Sequence, residues 1–283
     1  MKNKKKKKGS ARVLKAVLVN AELIITSLIV LIPVIWIVMS SFHKGTGLTG
    51  SSLIPKHLTI RNYVRLFQET DYLIWFRNSL SIAVLNAVVS VILILITAWV
   101  VSRFQFKGRK SGLMTMLILS MFPSFLSMTA IYTLFITFGL NKSPLSLVLV
   151  YSAGAIPYNV WLVKGYLDGV PASLDEAAYI DGSSKINTFL KIIIPMAKPI
   201  IVYCAVAQFM APWMDYILPN LLFTGTNTKT IAVGLYAMIT GNENSYFTTF
   251  AAGAVLIAIP ITILYLLFQK YLVEGIAAGA NKG

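Results

Sequence analysis

The stretch SLDEAAYIDGSSKINTFLKIIIP, which runs from Ser173 to Pro195, is a polar, helix-forming segment in a chain that is otherwise mostly apolar. Ser173 and Glu176, three residues apart, have the form of a capping box, and acidic side chains in a first turn interact favourably with the helix dipole. Gly182 can adopt the left-handed conformation that ends a helix. We therefore predict a short capped helix between Ser173 and Gly182.

The residues after Gly182 predict a second, amphipathic helix that ends near Pro195. Its apolar positions recur at helical spacing and are Ile186, Phe189, Leu190, Ile193 and Ile194. The small side chains of Ala177 and Ala178, together with Gly182, leave a surface that another protein can approach closely. From these residues alone two interpretations stay open, a docking surface for a partner or an interfacial hairpin that packs against its own bundle.

The composition places most of the chain in a lipid bilayer. Of its 283 residues, 57% are hydrophobic and 12% are charged, which is far more apolar than a soluble domain. A transmembrane helix needs about 20 mainly apolar residues. We predict an all-α membrane protein with six transmembrane helices, at residues 18–42, 78–102, 113–138, 144–165, 199–222 and 248–272.

The basic residues are distributed unevenly between the two sides of this predicted bundle. The formal net charge is +15, and with the N-terminus inside, 18 of the 25 Lys and Arg residues fall in inner segments and 7 in outer ones. The asymmetry follows the positive-inside rule and predicts that both termini lie in the cytoplasm, with the basic tail near anionic lipid. The same distribution argues against a nucleic-acid partner.

The sequence lacks the residue patterns needed for nucleotide binding, metal binding or catalysis. No phosphate-binding G-x-x-x-x-G-K-[ST] loop is present, because Lys229-Thr230 lacks the required glycine. Cys204 is the single cysteine, and the two histidines, His43 and His57, are isolated in the first outer loop. We therefore expect no catalytic site, no metal site and no cofactor in this chain, and a transport subunit rather than an enzyme.

The segment from 176 to 195 also carries a pattern known from one family. It has Glu-Ala-Ala, a glycine after three more residues, and a hydrophobic residue before proline about ten residues later. The matching residues are Glu176, Ala177, Ala178, Asp181, Gly182, Ile194 and Pro195. The pattern resembles the EAA motif of bacterial ABC importer permeases, and aspartate before the glycine is similar to the sugar-importer variant.

Two further stretches extend the resemblance over nearly the whole chain, one from Asn62 to Leu80 and the other from Ala251 to Gly283. Both are similar to the carbohydrate branch of the family. With the outer segment 230–236, they most resemble the G-type permeases of maltose and maltodextrin importers. The lysine run at the N-terminus departs from the family pattern.

The resemblance implies a function and a set of partners. It implies a permease that forms half of the translocation pathway of a binding-protein-dependent ABC importer for maltose- or maltodextrin-type oligosaccharides. The implied partners are a second homologous permease, a dimer of cytoplasmic ATP-binding subunits that hydrolyse ATP, and an extracytoplasmic sugar-binding protein. In the family, the loop that corresponds to residues 171–198 seats a coupling helix in a groove of the ATP-binding subunit, so the motif residues are expected to couple the two subunits.

Asp215 is a candidate for the solute pathway. It lies in the outer half of the fifth predicted span, and an acid inside a membrane segment is a functional candidate by default. Trp213 and Tyr216 beside it have rings that can stack on sugars. The other interpretation is an interfacial aromatic belt with an acid that reaches water.

The outer loop 223–247 is a candidate contact surface for the sugar-binding protein. Its polar and flexible positions include Gly225, Asn227 and Asn242. In the family the equivalent loop reaches into the cleft of the binding protein. The other interpretation is a plain connector between two spans.

These interpretations divide the chain into four parts. Residues 1–16 form a basic cytoplasmic tail, and residues 17–77 form the first transmembrane helix with the outer loop. Residues 78–272 form a permease core of five transmembrane helices with the coupling loop 171–198, and residues 273–283 form a cytoplasmic C-terminal tail.

Other functions remain open at this level. The chain is alternatively a permease for another oligosaccharide of the raffinose or galactoside type. An ion-coupled secondary transporter is a further alternative, although the inverted repeats and buried charged pairs usual in that class are not found in the sequence. The last alternative is a membrane scaffold or insertase that transports no solute.

Overall fold

The computed structural model shows a helical chain and describes residues 2–47, 55, 57–223, 225–240 and 246–280. Among these residues no strand is present, and one isolated bridge pairs His43 with Leu58. The α-helices are α1 (Lys2–Ser41), α2 (Arg61–Gln68), α3 (Tyr72–Arg103), α4 (Arg109–Ser120), α5 (Met128–Thr137), α6 (Leu147–Asp168), α7 (Ser173–Ile180), α8 (Lys185–Thr188), α9 (Ile194–Met196), α10 (Lys198–Met214), α11 (Ile217–Leu222), α12 (Ile231–Thr240) and α13 (Phe247–Ala280). Short 3-10 segments cover Ser124–Ser127, Leu140–Lys142, Pro144–Ser146 and Thr226–Thr228, and a π-helical segment covers Phe189–Ile193.

Several of these helices are long and apolar enough to cross a membrane. Within the described residues, four meet the criterion alone, and they are Lys15–Ser41, Tyr72–Arg103, Pro144–Asp168 and Phe247–Val273. Two bent pairs meet it together: α4 with residues 125–137 at 88°, and residues 185–196 with α10 at 79°. The predicted all-α membrane fold is confirmed, and its six spans are reached when each bent pair counts as one span.

The third predicted span, residues 113–138, is not one continuous helix. Helix α4 ends at Ser120, Pro123 has extended dihedrals, and α5 begins at Met128. A proline has no N–H to donate and disfavours helical dihedrals in the residue before it. Pro123 therefore ends the first half of the segment and lets the second half leave at a steep angle.

The fifth predicted span, residues 199–222, is also interrupted, because α10 ends at Met214 and Asp215 is extended (φ −80°, ψ 115°). Helix α11 begins two residues later. Pro219 gives the physical reason, because a proline ring in a helix clashes with the carbonyl four residues before it, here that of Asp215. The break thus places an acidic side chain at a non-helical position inside a predicted membrane segment.

Contacts divide the chain into two units, residues 1–70 with 238–256, and residues 71–237 with 257–283. In the first unit, the buried side-chain amide of Asn62 donates to the carbonyls of Ser41 (2.9 Å) and His43 (2.8 Å). Thr248 bonds the Asn62 side-chain oxygen at 3.1 Å. Asn62 therefore joins the end of α1, helix α2 and the start of α13.

In the second unit, α3, α6 and α10 pack against one another around a core that includes Ala98, Val163 and Ile200. Polar side chains join the same helices. Asn86 is fully buried in α3 and donates its amide to the carbonyl of Gln208 in α10 at 2.7 Å. In lipid the hydrophobic effect does not hold helices together, so close packing and such hydrogen bonds take its place.

Trp75 and Gly234 meet closely in the second unit. Trp75 is buried at the start of α3, and a Cβ atom built at Gly234 in α12 would overlap its indole ring. The missing side chain at Gly234 is what allows this contact.

Replacing Gly234 with alanine is therefore expected to destabilise the fold by about 1–3 kcal/mol, the usual cost of overpacking a core. Thermal unfolding of the detergent-solubilised chain measures the effect. Gly165→Ala is the matched control, since a Cβ in that part of α6 meets no atom within 4 Å. Equal unfolding midpoints for the two variants would contradict the close contact.

Candidate functional site

The loop between α6 and α10 contains two helical segments joined at Gly182, as the sequence predicts. Gly182 has φ +82°. Its N–H donates to the carbonyl of Tyr179 at 3.1 Å, and the N–H of Ser183 donates to the carbonyl of Ala178 at 2.9 Å. These two bonds form a Schellman motif, the arrangement that ends a helix with a left-handed glycine.

The predicted capping box at the start of this loop does not form. Ala172 already has helical dihedrals (φ −65°, ψ −23°), so Ser173 lies inside the helix and its hydroxyl caps nothing. The first turn is closed by backbone bonds from Leu174 to Pro171 and from Asp175 to Ala172. The helix thus starts one residue earlier than predicted, with Ala172 at the N-cap position.

Serine capping occurs instead at the second segment. The hydroxyl of Ser184 accepts the N–H of Asn187 at 3.3 Å, with Ser184 at the N-cap position of α8. The predicted amphipathic helix then continues through the π-helical segment 189–193 and ends at Met196. The serine before a helical pattern was a readable signal for the cap, whereas the π-helical turn has no comparable sequence signal.

A buried ion pair attaches the loop to the bundle. Arg103, the last residue of α3, places Nε 2.7 Å from Oδ2 of Asp175 in α7, and their side chains are only 12% and 8% exposed. The contact is ionic rather than an aligned hydrogen bond. Arg103 also donates to the carbonyl of Val170 at 3.0 Å. The sequence placed Asp175 at the helix dipole and did not anticipate this partner.

Aromatic side chains make a second attachment. The ring of Phe189 stacks on Trp99 of α3 with centroids 4.4 Å apart, and Phe104 meets the same indole edge-on at 5.1 Å. The ammonium of Lys185 lies 4.9 Å from the centre of the Phe104 ring. Phe189 and Ile193 are buried in the core that α3, α6 and α10 share. One face of the loop is therefore part of the bundle.

The opposite face of the loop is exposed and partly apolar. Ile180 is 86% exposed and Ile186 is 67% exposed. Leu190 is also exposed. Partial burial raises the pKa of Tyr179, and the neighbouring Asp175 adds to the rise while Arg103 opposes it, so this phenol stays neutral at physiological pH. Exposed apolar side chains that recur along one loop mark a candidate interaction surface.

The motif residues divide between these two faces. Ala178 is buried against the bundle. The remaining motif residues of the site are exposed, namely Glu176, Ala177, Asp181, Gly182 and Pro195. The two interpretations of the sequence, a docking surface and a hairpin packed against its own bundle, thus apply to opposite faces of the same loop.

A cavity of about 840 Å³ lies between α5, α6 and the broken α10–α11 segment. Asp215 lines it at the helix break, where its Oδ2 accepts the hydroxyl of Tyr151 at 2.8 Å. Its Oδ1 accepts the N–H of Leu218 at 3.3 Å and so caps α11. Polar groups that face a cavity inside a membrane segment are typical of a solute pathway.

Trp213 and Tyr216, the other two candidates for the solute pathway, lie outside this cavity. Trp213 is buried and packs against Phe76 with centroids 5.4 Å apart. Tyr216 packs against Tyr236 at 4.2 Å. Neither is among the residues that line the cavity.

The polar groups that do line the cavity follow a spacing that the sequence reasoning missed. Tyr151, Tyr158 and Asn159 fall on one face of α6, seven and eight residues apart, and Gln208 precedes Asp215 by seven in the facing segment. An intramembrane polar side chain repeated at this interval was the available signal.

The candidate loop near residue 225 is held on α3. The side-chain amide of Asn78 donates to the carbonyls of Asn227 (2.8 Å) and Lys229 (3.0 Å), and Gly225 accepts a bond from Thr228. Asn227 keeps an exposed side chain, while Asn242 lies outside the described residues. No group of three or more potential metal ligands occurs within the described part of the chain.

Comparison with known proteins identifies the family. Residues 90–277 match the model of the binding-protein-dependent transport system inner membrane component. The chain belongs to this family. The matched region contains the whole 171–198 loop and the lining of the cavity, and the predicted resemblance to ABC importer permeases is confirmed.

Individual members of the family are similar over almost their full length. The galactooligosaccharides transport system permease protein GanQ of Bacillus subtilis is 37% identical over 91% of this chain and 92% of its own. The maltodextrin transport system permease protein MdxG of the same organism is 36% identical over 97% and 99%. A crystal structure of a bacterial ABC transporter that imports the acidic polysaccharide alginate superposes with a TM-score of 0.75, at 25% identity, over 90% of this chain and 95% of that one.

Removing either partner of the Arg103–Asp175 pair should destabilise the protein strongly. Arg103→Met or Asp175→Asn is expected to lower the free energy of unfolding by about 3–5 kcal/mol, because each leaves a buried charge without its partner. The double variant Arg103→Met with Asp175→Asn should recover part of the loss, because neither charge is then left buried alone. Unfolding of the four proteins in detergent completes a double-mutant cycle.

The matched control is the ion pair between Arg65 and Glu69, in which Glu69 is largely exposed. Glu69→Gln should change the free energy of unfolding by less than about 1 kcal/mol. A similarly small effect for Asp175→Asn would show that the buried pair does not hold the loop.

Proposed function

We propose that this chain is one permease half of an ATP-driven, binding-protein-dependent importer of oligosaccharides. The observation that carries the proposal is the two-faced loop 171–198. Its inner face is fixed to α3 by the Arg103–Asp175 pair and by the stack of Phe189 on Trp99. Its outer face offers exposed apolar side chains to a partner.

The partner of that outer face is a cytoplasmic ATP-binding subunit, present as a dimer that also serves a second, homologous permease. Ile180 and Ile186 supply apolar contact area, and the small residues Ala177 and Gly182 permit close approach. Movement of the ATP-binding subunits then shifts the loop, and the Arg103–Asp175 pair transmits this shift to the end of α3. ATP hydrolysis belongs to that partner, and this chain is a transport subunit and not an enzyme.

The distribution of basic residues supports the orientation of the chain. The positive-inside rule places the 171–198 loop and both termini in the cytoplasm. The segment 225–229 then lies on the opposite side, where its attachment to Asn78 presents Asn227 to an extracytoplasmic sugar-binding protein.

The chemistry of the cavity suits a neutral sugar. Tyr158 and Gln208 offer uncharged hydrogen-bonding groups, and the rings of Tyr151 and Tyr158 offer faces for stacking. The carboxylate of Asp215 is already engaged by Tyr151 and by the N–H of Leu218. An oligosaccharide needs such a mixture of hydroxyl partners and aromatic surface.

Maltodextrin is the first candidate substrate. The motifs outside the loop resemble the G-type maltose and maltodextrin permeases, and MdxG is similar over nearly the whole chain. Galactooligosaccharides are the second candidate, because the similarity to GanQ is equally extensive.

Gly182→Val tests the coupling role of the loop. A β-branched residue at φ +82° strains the backbone by about 1 kcal/mol or more, and its added volume blocks close approach of a partner. We expect normal amounts of the variant in the membrane but loss of labelled maltotriose uptake, measured in cells whose own copy of the gene is deleted.

Gly165→Val is the matched control and should leave uptake unchanged, because that glycine is helical and has open space around it. Ser184→Ala is not a suitable control, because the Ser184 hydroxyl caps α8. Normal uptake by Gly182→Val with ATP-binding subunits still attached would contradict the coupling role. Uptake of labelled galactotriose but not maltotriose by the unmodified protein would select the second substrate.

A further inference from the structure

The turn between α3 and α4 borders a second cavity, of about 640 Å³, separate from the one lined by Asp215. Both helices belong to membrane-crossing segments, so the turn 104–108 lies where the chain leaves and re-enters the membrane. The cavity is therefore at the level of lipid headgroups. The last turn of α6 supplies another part of its wall, through Lys164.

The lining of this cavity is basic, and none of the described residues that form it is acidic. Arg109 donates to the carbonyls of Val101 (2.7 Å) and Ser102 (3.3 Å), which fix its guanidinium without neutralising it. Lys164 lies 2.6 Å from Asp168, so its charge is largely balanced. Lys110 is exposed and forms no ion pair with any acidic residue in the described part of the chain.

Helix α4 adds to the attraction for an anion. Lys110 and Ser111 lie in its first turn, and the helix is 12 residues long. The first N–H groups of a helix lack intrahelical acceptors, and the dipole favours negative charge at this end. Two cations and a helix N-terminus thus meet in one cavity.

An apolar stripe continues from the cavity along α4. Met114, Leu117 and Ile118 are all exposed and follow Lys110 by four, seven and eight residues, which places them on the same face of the helix. Phe106, in the cavity wall, is exposed as well. The surface is therefore basic at the start of α4 and apolar over the following turns. An anionic lipid has a matching arrangement, with a charged headgroup followed by apolar acyl chains.

We propose that this cavity binds an anionic phospholipid. Lys110 and Arg109 hold the phosphate at the start of α4, and an acyl chain lies along Met114 and Ile118. Basic pockets between membrane helices select such headgroups, whereas a zwitterionic lipid offers no net charge to them. The bound lipid would stabilise the turn that follows Arg103. The proposal does not depend on which solute is transported.

Lipid binding to the full chain, purified in detergent with its co-assembling subunits and stripped of lipid, tests the proposal. Native mass spectrometry counts bound phosphatidylglycerol and phosphatidylcholine with matched acyl chains, and thermal unfolding measures stabilisation. We expect phosphatidylglycerol to bind and stabilise more strongly. Lys110→Gln should weaken its binding about fivefold, as expected for one basic residue at a membrane surface, and Lys110→Arg should retain it.

Lys107→Gln is the matched control, because Lys107 is exposed in the same turn but does not line the cavity. Near-normal binding by that variant supports the site, and equal weakening by both substitutions would show diffuse attraction and overturn it. Stabilisation by inorganic phosphate alone would indicate a free-anion site and also overturn the proposal. So would lipid binding to the isolated chain that disappears in the complex, because a partner subunit would then cover the cavity.

Discussion

The contact on which the rest of the structure depends is the buried ion pair between Arg103 and Asp175. It joins the last residue of a membrane-crossing helix to the first turn of a loop helix, in surroundings where an unpaired charge would be costly. A loop attached only at its two ends would shift relative to the bundle when a partner moved it. This pair and the stacked rings of Trp99 and Phe189 attach the loop to α3 at two places.

Polar side chains perform the same task throughout the bundle. Asn86 joins α3 to α10, Asn62 joins three elements of the first unit, and Asn78 holds the 225–229 segment. In each case a side-chain amide donates to backbone carbonyls of another element, and at Asn86, inside a membrane-crossing helix, lipid offers no water to replace that bond. The helix break at Asp215 follows the same rule, because its carboxylate satisfies an N–H of the next helix. The stability of the bundle and the polar lining of the cavity therefore depend on the same kind of residue.

Much of this fold was predictable from sequence because its signals are local. Long apolar segments predict spans, and the glycine at 182 predicts its own left-handed turn. The interruption at Asp215 was readable from Pro219 four residues later, because a proline inside a span disturbs its helix. The partner of Asp175 was not predictable, because Arg103 lies far away in the chain and only the packing of α3 beside the loop brings the two together. The cavity needed the same tertiary information, since its polar residues come from separate helices.

The central claim is that the exposed face of the 171–198 loop contacts the ATP-binding subunit during transport. A photo-activated cross-linking residue at Ile180, 86% exposed on that face, tests this in the assembled importer. The account predicts a cross-link from position 180 to the ATP-binding subunit, and none from the same probe at Tyr158, which is exposed at the cavity between the spans. A complex that takes up sugar normally but gives no cross-link from position 180 would contradict the account.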